Sequence, residues 1–341
     1  MRTLRSRLIQ FVQDLIEGRR KGSCFLFPFS FLWGCAALCK NWLYDKRILP
    51  VRRVPQTVVS IGNLVAGGTG KTPLALLLAE TLIQKNPAFL SRGIGAQGSL
   101  ADEPALLAKR CPGARIYLGK NRAASAQKAI ADGCNLLILD DGFQHRKMGR
   151  DVDLLLLSTE DPFGRGKYLP RGYLRDSPSR LKEADVIFLN PIHSERELED
   201  WKRRLDLTVP LIGVRLDLAR VIGGDLSKMP VGLFCGIAHP DRFKKTVIDC
   251  GAELISELIL ADHEGISDID LRTFADHSKS LGAKALVCTE KDRVKIAETV
   301  HLPLPLIHLE MELKMTAGRQ NWENLVAKIE LNIDNYPTYD R

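Results

Sequence analysis

The run Gly67-Gly68-Thr69-Gly70-Lys71-Thr72 lies between the β-type stretch TVVSIGN (57–63) and a leucine-rich segment of helical character near 74–83. Glycines in a strand-to-helix turn let successive backbone N–H groups point inward at an anion, and the helix adds the positive end of its dipole. Such a loop cradles phosphates, with a lysine reaching the terminal groups and a Thr hydroxyl directed at Mg2+. Val65 stands where the usual G-x4-G-K-[ST] pattern has its first glycine, so the cradle comprises Val65, Ala66, Gly67, Gly68, Thr69, Gly70, Lys71 and Thr72. An incidental glycine-rich turn is the competing reading, and the strand–loop–helix setting weighs against it.

The same alternation continues downstream. AFLSRG (88–93), ARIYLG (114–119), NLLILDD (135–141), VDLLLLS (152–158) and ADVIFLN (184–190) are apolar runs, with helical segments near 105–109 and 123–131 between them. Continuous Val/Ile/Leu runs joined by helices predict a parallel sheet covered on both faces. Ligands bind such sheets beyond the carboxyl ends of the strands, where the loops 62–72, 91–104 and 140–147 are expected. Residues 212–229 read as two short strands around Gly223-Gly224, and a second set of α/β elements follows to a last helix near 321–329. A chain of 341 residues accommodates two domains. The predicted architecture is α/β: a P-loop NTPase-like parallel-sheet domain (46–211), a two-stranded linker (212–229) and a smaller α/β domain (230–341). An amino-terminal membrane-association segment (1–45) precedes them.

Charge is distributed unevenly. The chain has 49 Lys+Arg and 41 Asp+Glu, a formal +8; residues 1–55 hold 11 of the basic groups and three of the acidic ones, leaving 38 of each sign elsewhere. A basic face for nucleic acid is excluded by that distribution. Leu4, Leu8, Phe11, Val12, Leu15 and Ile16 recur at helical spacing, with Arg2, Arg5 and Arg7 offset, and CFLFPFSFLWGCAALC (24–39) follows. The apolar run falls short of the about 20 residues a spanning helix needs and contains Pro28, Ser30 and Gly34. A secretory signal lacks its cleavage site here, and a buried core hairpin is an alternative. The preferred reading is a monotopic anchor that inserts Phe25, Phe27, Phe29, Phe31, Leu32 and Trp33 below the headgroups while the flanking cations hold anionic lipid. Eight cysteines without a C-x-x-C pair point to buried, reduced thiols and not to a zinc cluster.

Asp140 and Asp141 end an apolar run, where a phosphate-binding enzyme places its metal-directed carboxylates; a solvated Asp-Gly turn is the alternative. Which of the two touches metal is left open. Asp102-Glu103-Pro104 reads as a helix cap. Asp262-His263 reads as a structural pair or, since a carboxylate raises the proton affinity of an imidazole, as a general base. YLPRGYLR (168–175) sets Arg171 and Arg175 in a Gly/Pro-shaped loop, for solvation or for bidentate contact with phosphate oxygens.

Taken together, GNLVAGGTGKTP (62–73), SRGIG (91–95), DEP (102–104), LDDGFQHR (139–146), YLPRGYLR (168–175), FCGIAHPDRF (234–243), DH (262–263) and TEKD (289–292) resemble the tetraacyldisaccharide 4'-kinases, the lipid A 4'-kinases. The resemblance implies a membrane-associated kinase that uses ATP and Mg2+ to phosphorylate the 4'-hydroxyl of a tetraacylated glucosamine disaccharide 1-phosphate. That is a late step of lipid A biosynthesis, at the cytoplasmic face of the inner membrane of a Gram-negative-type bacterium. By motif, Lys71 and Thr72 take the loop roles, and Asp140 and Asp141 the Mg2+-side acidic roles. Asp102 and His263 fall on the carboxylate–histidine dyad that activates the sugar hydroxyl, and Arg92 and Arg171 on positions near the phosphates. Ile94 replaces the tyrosine of the family's SRGYG, and the stretch before DEP is short, so loop contacts there do not carry over. No protein partner is implied. The rival function is a membrane-associated P-loop ATPase of the partitioning or targeting type, which usually carries a lysine where this chain has Ala66.

Overall fold

The computed structural model describes residues 11, 15–16, 23–68, 70–93, 102–262 and 264–336. Its first long element is α1 (Phe27–Asp45), with Pro28 in the first turn, where a missing N–H is harmless. The helix runs beyond the apolar stretch that ends at 39 and buries Ser30, Gly34, Asn41 and Tyr44. Phe27, Phe29, Phe31, Leu32, Trp33, Leu38 and Trp42 are exposed, and so are Cys24, Cys35 and Cys39. A surface helix of a water-soluble protein does the opposite. The core-hairpin alternative is therefore overturned, as is the expectation of buried thiols for these three cysteines. Residues 24–45 are long and apolar enough to cross a membrane by length and composition. Of the amphipathic segment before it, only Phe11, Leu15 and Ile16 are among the described residues.

The chain continues through β1 (Thr57–Gly62), α2 (Lys71–Thr81), β2 (Pro87–Ser91), α3 (Asp102–Arg110), β3 (Arg115–Leu118), α4 (Arg122–Ala131) and β4 (Leu136–Asp140). Next come β5 (Val152–Ser158), β6 (Val186–Asn190), α5 (Glu195–Leu205) and β7 (Leu211–Ile222). The remainder is β8 (Pro230–Cys235), α6 (Pro240–Asp249), β9 (Glu253–Ile259), α7 (Asp268–Ser280), β10 (Ala285–Thr289), the short α8 (Glu290–Arg293), β11 (Leu306–Ala317) and α9 (Arg319–Asn335). Two compact units result: Met1–Ile94 with Arg110–Leu216 and Leu313–Arg341, and Gly95–Lys109 with Asp217–Glu312.

In the first unit the strand order is β3-β2-β4-β1-β5-β6-β7, parallel throughout. β1 and β6 are buried along their whole length, as continuous apolar strands between two helical layers must be. One face packs Val58, Leu90, Leu137 and Leu139 against Ala126 and Ala129 of α4; another cluster joins Leu64, Phe143, Leu155, Leu174 and Leu189. In the second unit β11, β10, β8 and β9 are neighbours in that order and again parallel. Two elements depart from the sequence reading. No local hairpin forms at 212–229: β7 is one long strand, β8 pairs with β9 and β10, and β11 is the other strand that passes from unit to unit. Because the chain re-enters the first unit along β11, the last helix belongs there and not with 230–312. Trp322 of α9 meets Phe188 edge-on with ring centroids 6.2 Å apart, and the Asn321 side-chain amide donates to the Leu211 carbonyl at 2.9 Å.

Gly62, the last residue of β1, is a position of close approach. A Cβ there would lie 2.5 Å from the Cβ of Phe143, which is fully buried just beyond Asp140 and Asp141. The start of the phosphate-type loop and the acidic turn are thus packed with no room for a methyl group. Gly62→Ala is expected to destabilise the protein by about 1–3 kcal/mol through overpacking. Denaturant unfolding measures this, and an unchanged midpoint would contradict the packing described.

Candidate active site

Strand β4 lies between β2 and β1, with Leu139 opposite Leu90 and Asp140 opposite Ile61. The loop after β1 and the carboxylates after β4 consequently leave the sheet side by side. Gly70 caps α2 with φ 99°, a left-handed conformation that disfavours any side chain, and Gly67 has φ 114° with open space where a Cβ would point. Lys71 is the first residue of α2, and Thr72, the second, is buried. Thr69 lies outside the described residues.

Asp141 is the centre of the site. It adopts φ 52°, left-handed backbone that Asp tolerates better than most residues. Arg175 donates to both of its carboxylate oxygens, each at 2.7 Å, and also to the side-chain oxygen of Asn63. Lys71 Nζ stands 3.6 Å away. Burial pushes the Asp141 carboxyl up, but the Arg175 hydrogen bonds and the Lys71 charge outweigh it and hold the group at about 2. Arg175 is placed by its backbone, whose N–H donates to the Leu64 carbonyl at 2.8 Å. Next to it Leu174 bridges antiparallel to Val65, and the Ala66 N–H donates to the Tyr173 carbonyl at 2.7 Å. That amide thus serves the 168–175 loop, and the Val65 side chain is core; Gly67 and Gly68 are the exposed part of the cradle, and Gly70 closes it against Leu156 and Asn190.

Other groups surround this centre. Asp140 accepts from the Ser91 hydroxyl at 3.3 Å. Arg122 is buried at the start of α4 within the field of Asp140 and Arg92, and its Nε has no hydrogen-bond partner among the described residues. His145 is pushed down to about 4 by burial and by the charges of Arg122 and Arg92, which makes it a neutral imidazole at physiological pH. Arg92 itself is exposed. Arg171, the arginine expected near phosphates, has its guanidinium over the Phe27 ring at 5.5 Å; Arg175 is the member of that loop that reaches the acidic turn. Arg175 is one of the two arginines the sequence offers for phosphate contact, and here its bidentate partner is Asp141; Asn63 and His145 lie inside quoted motifs without being singled out, and Arg122 lies outside them.

In the second unit Asp102 opens α3 and pairs with Lys295 Nζ at 3.0 Å. Lys295 also reaches Asp292 at 3.2 Å and the Glu264 carbonyl at 3.3 Å. Asp292 is buried and accepts from the Thr289 hydroxyl at 2.6 Å and the Gly236 N–H at 3.1 Å, so the TEKD segment forms a fixed platform for Asp102. Glu103 pairs with Lys291 of the same segment at 3.1 Å. His263, the other half of the expected dyad, lies outside the described residues, as does Ile94.

The donor set in the first unit fits a polyphosphate with Mg2+. A helix amino terminus, the uncovered Gly67 beside it, a lysine and the orphaned Arg122 Nε supply positive potential. Thr72, Asp140 and Asp141 supply the hard oxygen ligands that Mg2+ takes alongside phosphate oxygens. Among the described residues no group of three or more His, Cys, Asp and Glu forms an all-protein metal cage.

A family model described as Tetraacyldisaccharide-1-P 4'-kinase matches residues 22–330. A relative from Chlamydia abortus named tetraacyldisaccharide 4'-kinase is 32% identical over 339 residues, covering 87% of this chain and 91% of the relative. One of the same name from Anaeromyxobacter sp. is 36% identical over 323 residues, covering 85% and 87%. A crystal structure of the "apo" form of LpxK from Aquifex aeolicus in complex with ATP superposes with a TM-score of 0.72 at 27% identity, covering 91% of this chain and 99% of that one.

The Arg175–Asp141 contact has a pH signature. Asp141 contributes stability that is complete above the ordinary carboxylate value of about 3.9 and is lost as pH falls through about 2. Arg175→Met leaves the half-exposed carboxyl with Lys71 alone, so the acid limb of the pH–rate profile is expected to move to higher pH. Turnover at neutral pH is expected to drop about tenfold or more, a charged hydrogen bond being worth about 1.5–3 kcal/mol. An unmoved acid limb in the pH–rate profile would remove Asp141 from the working site.

Proposed function

The chain belongs to the tetraacyldisaccharide-1-P 4'-kinase family, and we propose that its first unit holds the ATP whose γ-phosphate is transferred to a membrane-held acceptor. The enzyme is an ATP-dependent kinase of lipid A biosynthesis that phosphorylates the 4'-hydroxyl of a tetraacylated glucosamine disaccharide 1-phosphate. The observation that carries the site assignment is the meeting of Lys71 and Arg175 on Asp141 beside an open glycine cradle.

In this reading the amides of Gly67, Gly68, Thr69 and Gly70 and the start of α2 receive the phosphates, and Lys71 balances the charge at the terminal group. Thr72, Asp140 and Asp141 hold Mg2+, which when bound neutralises phosphate charge. Arg175 keeps Asp141 ionised and aimed, while Arg122 and Arg92 add positive potential along the same strand edge. The acceptor oxygen forms its bond to the γ-phosphorus as the bond to the ADP oxygen breaks, and the hydroxyl proton passes to the Asp102–His263 dyad assigned by motif. Lys295 fixes Asp102 on its platform. Arg171, against Phe27, stands at the membrane side of the loop that carries Arg175.

The exposed aromatic face of α1 and the basic groups around it support attachment to an anionic membrane surface, on the cytoplasmic side of the inner membrane where ATP is supplied. An acceptor with four acyl chains stays in the bilayer, so the enzyme works at that surface. A partitioning-type ATPase would need neither the acceptor-activating pair nor the match along 22–330.

Transfer of label from γ-labelled ATP to a disaccharide lipid in vesicles tests the assignment. Lys71→Ala and Asp141→Ala are expected to abolish transfer, and His263→Ala to lower turnover by about 10²–10⁴-fold with ATP affinity kept. ATP hydrolysis without phosphorylation of any glycolipid would favour the ATPase instead.

A further inference from the structure

The buried edge of α1 touches both walls of the catalytic turn. On the arginine side, the Ser30 hydroxyl donates to the Tyr168 carbonyl at 2.7 Å and the Trp33 indole to the Arg175 carbonyl at 3.3 Å. Gly34 rests against the Tyr168 ring so closely that a Cβ would lie 2.8 Å from it. The Asn41 amide donates to Asp176 at 2.7 Å, both side chains being buried. On the acidic side, Lys40 Nζ reaches the Gln144 carbonyl at 3.4 Å, and Arg146 donates to the Asn41 carbonyl at 3.3 Å and to Asp45 at 2.6 Å.

Asp176 directly follows Arg175. It accepts from Asn41, takes the N–H of Ser177 at 2.9 Å and forms a buried ion pair with Arg180. The Arg180 guanidinium in turn lies 4.2 Å from the centre of the Phe143 ring, two residues past Asp141. Arg175 therefore sits between a backbone fixed at Leu64 and a neighbour fixed by the helix. A polar amide on a helix whose other face is Phe, Leu and Trp is retained where it has a partner. With that apolar face in lipid, rotation of α1 about its axis would put the amide among acyl chains. An apolar medium on the exposed face would hold α1 in the rotation that these contacts set.

We propose that Asn41 is a positioning residue for phosphoryl transfer: by fastening Asp176 it couples the seating of α1 in the membrane to the placing of Arg175 on Asp141. This rests on the reading of Asp141 as a working carboxylate of the kinase site. Without the amide, Asp176 keeps its ion pair with Arg180, the charge of Lys40 and its own turn but loses its hydrogen bond to α1, and Arg175 gains freedom that the transfer geometry does not tolerate; a misplacement of about 1 Å can lower a rate about 10²-fold.

The test compares full-length wild type, Asn41→Leu, Asn41→Gln and Asp141→Ala on disaccharide lipid in anionic vesicles, with vesicle flotation and thermal melting measured alongside. Asn41→Leu is expected to lower kcat by about 10- to 100-fold, with KM for ATP and flotation at wild-type values. Asn41→Gln, which keeps the donor, is expected to recover much of that loss. Wild-type kcat in Asn41→Leu overturns the proposal, and so does an equal loss in both variants that follows their melting temperatures. An active Asp141→Ala would instead overturn the reading of the site itself. An inactive Asp141→Ala beside a fully active Asn41→Leu would overturn the coupling alone.

Discussion

The bidentate contact between Arg175 and Asp141 is the interaction on which the arrangement of the first unit depends. A half-buried carboxylate is kept ionised by a neighbouring cation, and the two-point contact also fixes its direction. Lys71 at 3.6 Å offers charge but not the two-point geometry of a guanidinium. The bridge of Val65 to Leu174 and the Asn63 contact bring Arg175 to the start of the phosphate cradle. Gly62, pressed on Phe143, brings the acidic turn to the same place. Three separate stretches of chain thereby share one ionised carboxylate, and each is held by backbone or core contacts and not by solvent-exposed side chains.

The second constraint is the inverted burial of α1. A helix that hides Ser, Gly, Asn and Tyr while exposing Phe, Leu and Trp is consistent with membrane association of that face. The basic excess of the first 55 residues belongs to this end of the chain. The polar edge of the helix hydrogen-bonds the two loops that carry Arg175 and Asp141, which is the basis of the coupling proposed above.

Much of this was legible in the residues. Val/Ile/Leu runs between helical segments read directly as a parallel sheet, because burial on both faces leaves no polar alternation. The glycine loop and the paired acids stand out in the residues because phosphate and Mg2+ chemistry calls for those residue types at a strand end, and the fold sets the two side by side. What escaped was non-local. Arg171 and Arg175 share one loop, four residues apart, and only the folded loop turns one onto Phe27 and the other onto Asp141. Asn41, past the end of the apolar run at 39, gave no sign of its partner 135 residues away. The strand that returns the chain to the first unit, β11, pairs with residues far from it in sequence, so α9 could not be assigned from local pattern. His145 is ordinary in sequence, and its depressed proton affinity comes from burial among arginines that only the fold assembles.

The central claim is that this scaffold delivers the γ-phosphate of ATP to one hydroxyl of a membrane-held disaccharide. Phosphorus–proton correlation NMR of the product formed by the purified full-length protein, ATP and the acylated disaccharide 1-phosphate in vesicles reads that outcome directly. The account predicts a new phosphomonoester coupled to the proton at the 4' position of the distal glucosamine. Inorganic phosphate alone, or a phosphate coupled to any other ring proton, would contradict it.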